Sequence, residues 1–462
     1  MRRSLFSGGV IGAAASVLAG CIAVAGVSDF SVDDCFDGCQ QEAGDSGPGQ
    51  EGGQDGPALP TDAAKDTSMS KDTGTDGPLP SPGLSAITLP GTGVAVGKTI
   101  TATLTARNET GDPVPRAGAT VVFNASGGTS VVSFGAVVDN ADGTYAVPIL
   151  GVTEGTKVVI GATIDGAALK TAGPSLRVAN LVTSGLTFAI DAEDADGAGH
   201  FGGAGCPAAG STTWTDVSGN AFGGSLVGFA DPCTGATGSG WTGNGTPADP
   251  KRITFDGIDD YVTFGAVDSL GGKQTVLAWV RKTGAGTPSI TGTSDGFGGS
   301  SGLPMVFPIV AKGTSEAEAD NIDINFHLSI TTTGKIASDY EHFVAGSSPN
   351  HPFQGSTVLT DNQWRMIGFT LDVTVPTRSI WLDGAQDGIT VPTTNVPSTG
   401  SANPLTIGAS NQSGLGGFNA ARGRFKGDVA IVLTYDHALT KVEIEKNCHA
   451  VSGRFGMLGC PN

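Results

Sequence analysis

Basic side chains are scarce in this sequence: 25 Lys and Arg stand against 44 Asp and Glu, a formal charge of -19. So acidic a chain lacks the cationic surface that displaces counterions from a phosphate backbone, which excludes nucleic acid as a partner. It equally lacks the means to dock electrostatically on anionic lipid headgroups. Charged residues of both signs amount to 15% and aromatics to 6%, so long solvent-facing helices laced with ion pairs are not expected. No CxxC pair occurs among the seven cysteines, and none of the six histidines stands at ligand spacing beside them, which argues against zinc. What is plentiful is glycine, 73 of 462 residues. Many short strands joined by turns follow from that, in an all-β chain of roughly three domains.

The N-terminus reads as an export signal. Arg2 and Arg3 supply its positive end, and residues 5–19 are uncharged, apolar and small. The stretch closes on Leu18-Ala19-Gly20-Cys21, which resembles the lipobox of bacterial lipoproteins. The resemblance implies cleavage after Gly20, a signal peptide over 1–20 and acyl chains on Cys21. At about 0.8 kcal/mol per buried CH₂, three such chains anchor durably. An uncleaved membrane helix is the competing reading, since the apolar run continues through residues 22–27. The paired arginines are also a faint sign of twin-arginine export. A lipid-anchored protein of the bacterial outer membrane or cell surface is expected.

With Cys21 lipidated, six cysteines remain, an even number suited to an oxidising compartment. Six allow fifteen pairings; the near-neighbour couples are Cys35–Cys39, Cys206–Cys233 and Cys448–Cys460. The last would close a loop of roughly a dozen residues and contribute about 2–3 kcal/mol. Residues 21–83 form a tether, and from about 40 onward they are Gly, Pro, Ser, Thr and Asp with almost nothing to bury. Such a segment stays solvated, with a reach on the order of 40–45 Å.

Residues 84–180 read as a compact β-sandwich. Residues 99–106 (TITATLTA) and 158–164 (VVIGATI) alternate cleanly, 120–123 and 145–149 are shorter strands, and 108–115 and 139–145 are turns. Gly111-Asp112-Pro113-Val114-Pro115 and Asp142-Gly143-Thr144-Tyr145 resemble the turn and corner motifs of bacterial immunoglobulin-like domains of the invasin and intimin type. That resemblance implies a stalk module without catalytic residues.

Residues 181–462 are a larger β domain. Its clearest stretch is residues 253–265, ITFDGIDDYVTFG, two alternating runs separated by Asp-Gly turn chemistry. In order along the chain come Trp214, Phe255-Asp256-Gly257, Asp260-Tyr261, Trp279, Trp364, Phe425, Gly427 and Ala438-Leu439. This succession resembles the LamG-like jelly roll of the concanavalin A-like superfamily. Trp279 and Trp364 fall at strand centres and are expected to fill the space between two sheets. Residues 439–448 (LTKVEIEKNC) carry the clearest helix signal in this domain.

Trp214 and Trp381, nearer to loops and strand ends, are candidate stacking platforms for a sugar, with packing as the alternative. The resemblance also implies calcium, which takes six to eight oxygens; Asp191, Asp216, Asn220 and Asp428 stand at the matching positions. Asp191–Gly199 is a further acidic loop, but Ala192 breaks the EF-hand pattern. Glu316, Glu318 and Asp320 would share one face of a strand, as paired carboxylates for glycoside hydrolysis require, yet their flanks read as a loop. His327 has no Ser or Cys partner pattern in the sequence around it, so a nucleophilic triad is not supported. The expected function is therefore non-catalytic binding of a glycan or a surface protein. A structural envelope component and a divergent carbohydrate-active enzyme are the alternatives.

Overall fold

The computed structural model describes residues 79–461 other than 116–117, 199–211, 234–237, 317–321, 346 and 413–420. The signal segment, Cys21, Cys35, Cys39, nearly all of the tether, Cys206, Glu318 and Asp320 lie outside the described residues. Nearly everything described is strand or turn.

Alternation builds the first sandwich. In Thr99–Thr105, Ile100, Ala102 and Leu104 turn inward, and in Val158–Ile164 Val158, Ile160, Ala162 and Ile164 do so. Each fully buried large aliphatic contributes about 1.5–3 kcal/mol. One five-stranded sheet runs Ala86–Thr88, Thr99–Thr105, Thr144–Thr153, Val131–Phe134, with Val138–Asp139 beside Thr144–Thr153. The other runs Gly93–Val94, Ser175–Val178, Val158–Ile164, Val121–Ser126, with Ala167–Ala168 beside Val158–Ile164. The two turn motifs meet: Gly143, at φ +90°, lies so close that a Cβ would stand 2.8 Å from Val114 O. Ala106 binds both, donating to Gly143 O at 2.8 Å and accepting from Val114 N at 3.0 Å. Only glycine fits that corner.

The jelly roll stacks two eight-stranded sheets. The first runs Gly240–Thr242, Arg252–Asp256, Lys426–Tyr435, Lys273–Lys282, Trp364–Asp372, Thr377–Leu382, Ala385–Gln386, with Leu186–Asp191 also on Lys426–Tyr435. The second runs Thr213–Thr215, Gly223–Val227, Tyr261–Thr263, Leu405–Ile407, Val306–Lys312, Phe326–Thr331, Lys335–Asp339, Phe353–Val358. The Asp256–Asp260 turn carries the chain from the first sheet into the second. Asp256 Oδ1 accepts from Ile258 N at 2.7 Å, and Asp260 Oδ2 from Asp256 N at 2.9 Å.

Between the sheets lies a core that includes Phe188, Trp214, Trp241, Phe255, Phe326 and Phe369. Trp214 and Trp241 meet edge to face at 5.2 Å. Trp279 and Trp364 are not there, contrary to the sequence expectation. They join Trp381 on the outer face of the first sheet, beneath the helix Lys441–Ser452 and the residues after it. That sheet is buried on both faces, so period-2 alternation does not say which face a tryptophan takes.

The helix begins where expected, with Thr440 and Glu443 in a reciprocal capping box. Cys448 and Cys460 are bridged across a separation of 12 residues, as their spacing suggested. Cys233 is also disulfide-bonded. The same helix meets the first sandwich: a Cβ on Gly93 would stand 2.2 Å from His449 O, and Lys446 pairs with Glu154 at 2.6 Å.

Candidate functional site

The expected sugar platforms are not platforms. Trp214 is 0% exposed, and its Nε1 donates to Asp191 O at 3.3 Å. Trp381 is 6% exposed and donates to Thr370 Oγ1 at 3.0 Å. Neither offers a ring face to a pyranose. Trp214 points from Thr213–Thr215 into the core between the sheets, and Trp381 sits in Thr377–Leu382, a strand covered on both faces, which overrides the position near a strand end.

The four expected calcium ligands do not converge either. Asp428 is 1% exposed and sits between two cations, Arg252 Nε at 3.3 Å and Arg281 Nε at 2.6 Å. Asp191 is held by Arg454 at 2.7 and 2.8 Å. Asp216 accepts from Ala189 N, Ser218 N and Ser218 Oγ, and exposed Asn220 donates to Thr187 O. Guanidinium groups stand where a cation would, so this set does not fit calcium. The carboxylates that do come together are Asp256, Asp259 and Asp260, with oxygens within 4.8 Å of one another. Asp260 Oδ1 is buried with no hydrogen bond of normal geometry. Burial, and after it the neighbouring carboxylates, push the Asp260 carboxyl up to about 6, against the pull of the Asp256 amide and the Ser239 side chain.

Glu316 lies in a turn at φ +60° and spends its carboxylate on Thr293, accepting from the backbone N and, at 2.8 Å, from Oγ1. His327 does have a serine partner, which the sequence reading missed: its Nδ1 lies 3.0 Å from Ser329 Oγ. One residue apart on a strand face was the available signal. Among the described residues its Nε2 has no hydrogen-bond partner and no third group completes a triad.

A cleft of about 330 Å³ opens at the edge of the sandwich, lined by Asn350, His351, Phe353, Arg378, Pro392 and Thr393 among others. Arg378 comes from the first sheet and crosses to the second, donating to Ser338 Oγ at 2.8 Å and to His351 O. Its guanidinium stacks over Tyr340 at 4.9 Å and Phe353 at 5.7 Å. The His351 ring lies on Tyr340 at 4.6 Å and touches His342, Nδ1 to Nε2, at 2.7 Å. Burial, with His342 and Arg378 adding to it, holds His351 down to about 4, so it is neutral. Burial likewise lowers Arg378 to about 10, still a cation at neutral pH. Beneath the cleft Asp339 accepts from Tyr340 N, His351 N, Thr291 Oγ1 and Asn350 Nδ2. Burial nevertheless pushes its carboxyl up to about 7. The arrangement offers neutral ring nitrogens, amide and hydroxyl groups beside apolar Phe and Pro faces. The clue in the sequence was two of the six histidines within ten residues, at Tyr340-Glu341-His342 and His351-Pro352-Phe353.

A larger groove, about 720 Å³, lies where the two sandwiches meet. There Arg454 pairs with Asp191 at 2.7 Å and with Glu193 at 3.0 Å.

Residues 256–445 match the family model described as the concanavalin A-like lectin/glucanases superfamily. No curated protein matches the chain in sequence. Among solved structures, the chain is similar to domain 4 of AbnA, a GH43 extracellular arabinanase from Geobacillus stearothermophilus, in complex with arabinotriose. The identity is 17% over 56% of this chain and 96% of that one, with a TM-score of 0.33. It is also similar to the CBM40 of Ruminococcus gnavus IT-sialidase bound to alpha2,3 sialyllactose, at 12% identity over 38% and 81%, TM-score 0.28. A third is the native heptameric SAP-like pentraxin of Limulus polyphemus, at 13% over 45% and 86%, TM-score 0.30. Similarity at this level transfers neither ligand nor residue role.

Proposed function

We propose that the concanavalin A-like domain binds carbohydrate without chemistry, at the cleft between Asn350 and Thr393. The observation that carries the reading is the cleft itself: neutral His351, Asn350 and Thr393 provide hydrogen bonds, and Phe353 and Pro392 supply apolar faces. Sugars need both kinds of contact at once. The family match over residues 256–445 supports it at the level of the domain. In this reading the acylated Cys21 anchors the protein at a bacterial surface, and the tether and first sandwich hold the domain away from the lipid. Glycan is the ligand; a surface protein bearing glycan is the natural partner. We place the implied calcium at Asp256, Asp259 and Asp260, an all-oxygen set whose oxygens lie within 4.8 Å of one another, which is the donor chemistry this ion takes.

The test is a glycan array probed with the purified protein in calcium and again in EDTA. Binding to a defined sugar class, weakened about tenfold or more in Phe353→Ala, supports the reading. A blank array in both buffers sinks it. Calcium is read separately, as a rise in Tm that Asp260→Asn abolishes.

A further inference from the structure

The outer face of the second sheet is not open. Along Phe326–Thr331 and Lys335–Asp339 the core takes Phe326, Leu328, Ile330 and Ile336, so His327, Ser329, Ala337 and Asp339 turn to the other side. His327 and Asp339 are register partners there, yet each is only 1% exposed. The glycine-rich segment 290–304 lies over part of this face, reaching Ala337 through Phe297 and Asp339 through Thr291.

That segment satisfies itself. Thr291 N donates to Phe297 O at 3.0 Å, Ser300 N to Thr293 O at 2.8 Å, and Gly298 N to Leu303 O at 3.1 Å. Its stem is the Ser289–Val306 pair, bonded in both directions at 2.8 and 3.0 Å. Few bonds tie it to what lies below: Thr291 Oγ1 to Asp339 Oδ2 at 2.6 Å, Asn350 Nδ2 to Thr291 O at 3.1 Å, and the clamp of Glu316 on Thr293. Phe297, 0% exposed, plugs it onto Val306 and Ala337. Lifting it therefore breaks side-chain latches and one apolar contact, while its own backbone bonds travel with it. On the same sheet face, beside Asp339 in register, His327 Nε2 is a buried ring nitrogen without a partner among the described residues, a group that gains a hydrogen bond when water reaches that face.

We propose that residues 290–304 are a lid, hinged at Ser289 and Val306, that opens to extend the saccharide cleft across the His327–Asp339 face. The use for a saccharide rests on the carbohydrate reading above; the hinge does not. One carboxylate couples the two places, since Asp339 holds the lid through Thr291 and the cleft wall through His351 N and Asn350.

The ionisable groups around Asp339 set the sign of its pH response. Arg378 faces it from the first sheet, His351 from the cleft loop with His342 behind it, His327 from the neighbouring strand, and Glu341 beyond it, itself faced by Asp323 and Glu316. Burial raises Asp339 to about 7 and Glu341 to about 10, so their ionisation opposes the closed state as pH rises. Burial lowers His327 and His351 to about 4, so their protonation opposes it only below their usual 6.5. Above about 6.5 the carboxyls act alone, and the lid loosens with base.

Hydrogen exchange of the full chain, read by mass spectrometry at pH 6.5 and 8.5 and corrected for intrinsic rates, tests this without any sugar. Segment 290–304 should open as a unit ahead of Lys273–Lys282 and Trp364–Asp372, and more at the higher pH. Thr291→Val, which removes one latch and keeps the shape, should raise opening about tenfold. Carbethoxylation of His327 should rise in step, with half-buried His437 as the reference. Exchange of 290–304 only with global unfolding, and a His327 unreactive until then, would overturn the lid. Opening together with a blank glycan array leaves the hinge standing and removes the carbohydrate reading.

Discussion

Asp428 shows what an acidic chain does with few arginines. Its carboxylate, 1% exposed, is shared by Arg252 and Arg281 and also accepts from Thr254 Oγ1 at 2.6 Å. Removing a partner from such a set leaves charge stranded, so Asp428→Ala should destabilise the protein by about 3 kcal/mol in urea denaturation. Asp339 acts in the opposite sense. Its carboxyl is raised from 3.8 to about 7, so its contribution to stability is full below about 3.8 and is lost as pH rises through 7. Asp339→Asn should flatten the fall in stability between pH 4 and 7, read from denaturation midpoints. Neither role was legible in sequence. Burial of Asp339 depends on a loop fifty residues away, and the partners of Asp428 are strand neighbours 147 and 176 residues distant. What was legible at this scale was local: the bridge of Cys448 to Cys460 and the tight corner at Gly143.

At the scale of elements, strands with one wet face were readable and strands with two dry faces were not. Val158–Ile164 has the bounds its alternation predicts. Lys273–Lys282, buried over seven consecutive residues, gave its position but not the face that Trp279 takes. The C-terminal helix was readable because its cap is a local signature, Thr440 with Glu443 three residues on. The cap and the bridge hold this helix against Trp279, Trp364 and Trp381. Replacing Cys448 and Cys460 together by Ser should cost about 3 kcal/mol by the loop-entropy estimate. Thr440→Ala should cost about 1 kcal/mol. Both are checked by thermal unfolding under non-reducing conditions.

At the scale of the whole molecule, the helix is also the joint between the sandwiches. Thr92 Oγ1 meets His449 Nδ1 at 3.1 Å, and Asn447 Oδ1 accepts from Val182 N in the connecting segment at 2.8 Å. Gly93 allows this approach because it has no side chain. Gly93→Val should part the two sandwiches, seen as a larger radius of gyration in small-angle scattering with both sandwiches still folded. Motifs in the sequence marked each sandwich but not the joint, since Thr92 and Gly93 carry no pattern of their own.

The strand Lys426–Tyr435 lies at the centre of the first jelly-roll sheet, between Lys273–Lys282 on one side and Arg252–Asp256 with Leu186–Asp191 on the other. Every one of those partners is made earlier by the ribosome. Until residue 435 has emerged, the sheet is three separate pieces, and the contacts that join them span up to about 250 residues. The growing chain thus has no finished larger core until that strand is made. A ribosome stalled before residue 426 releases a chain whose larger domain cannot close.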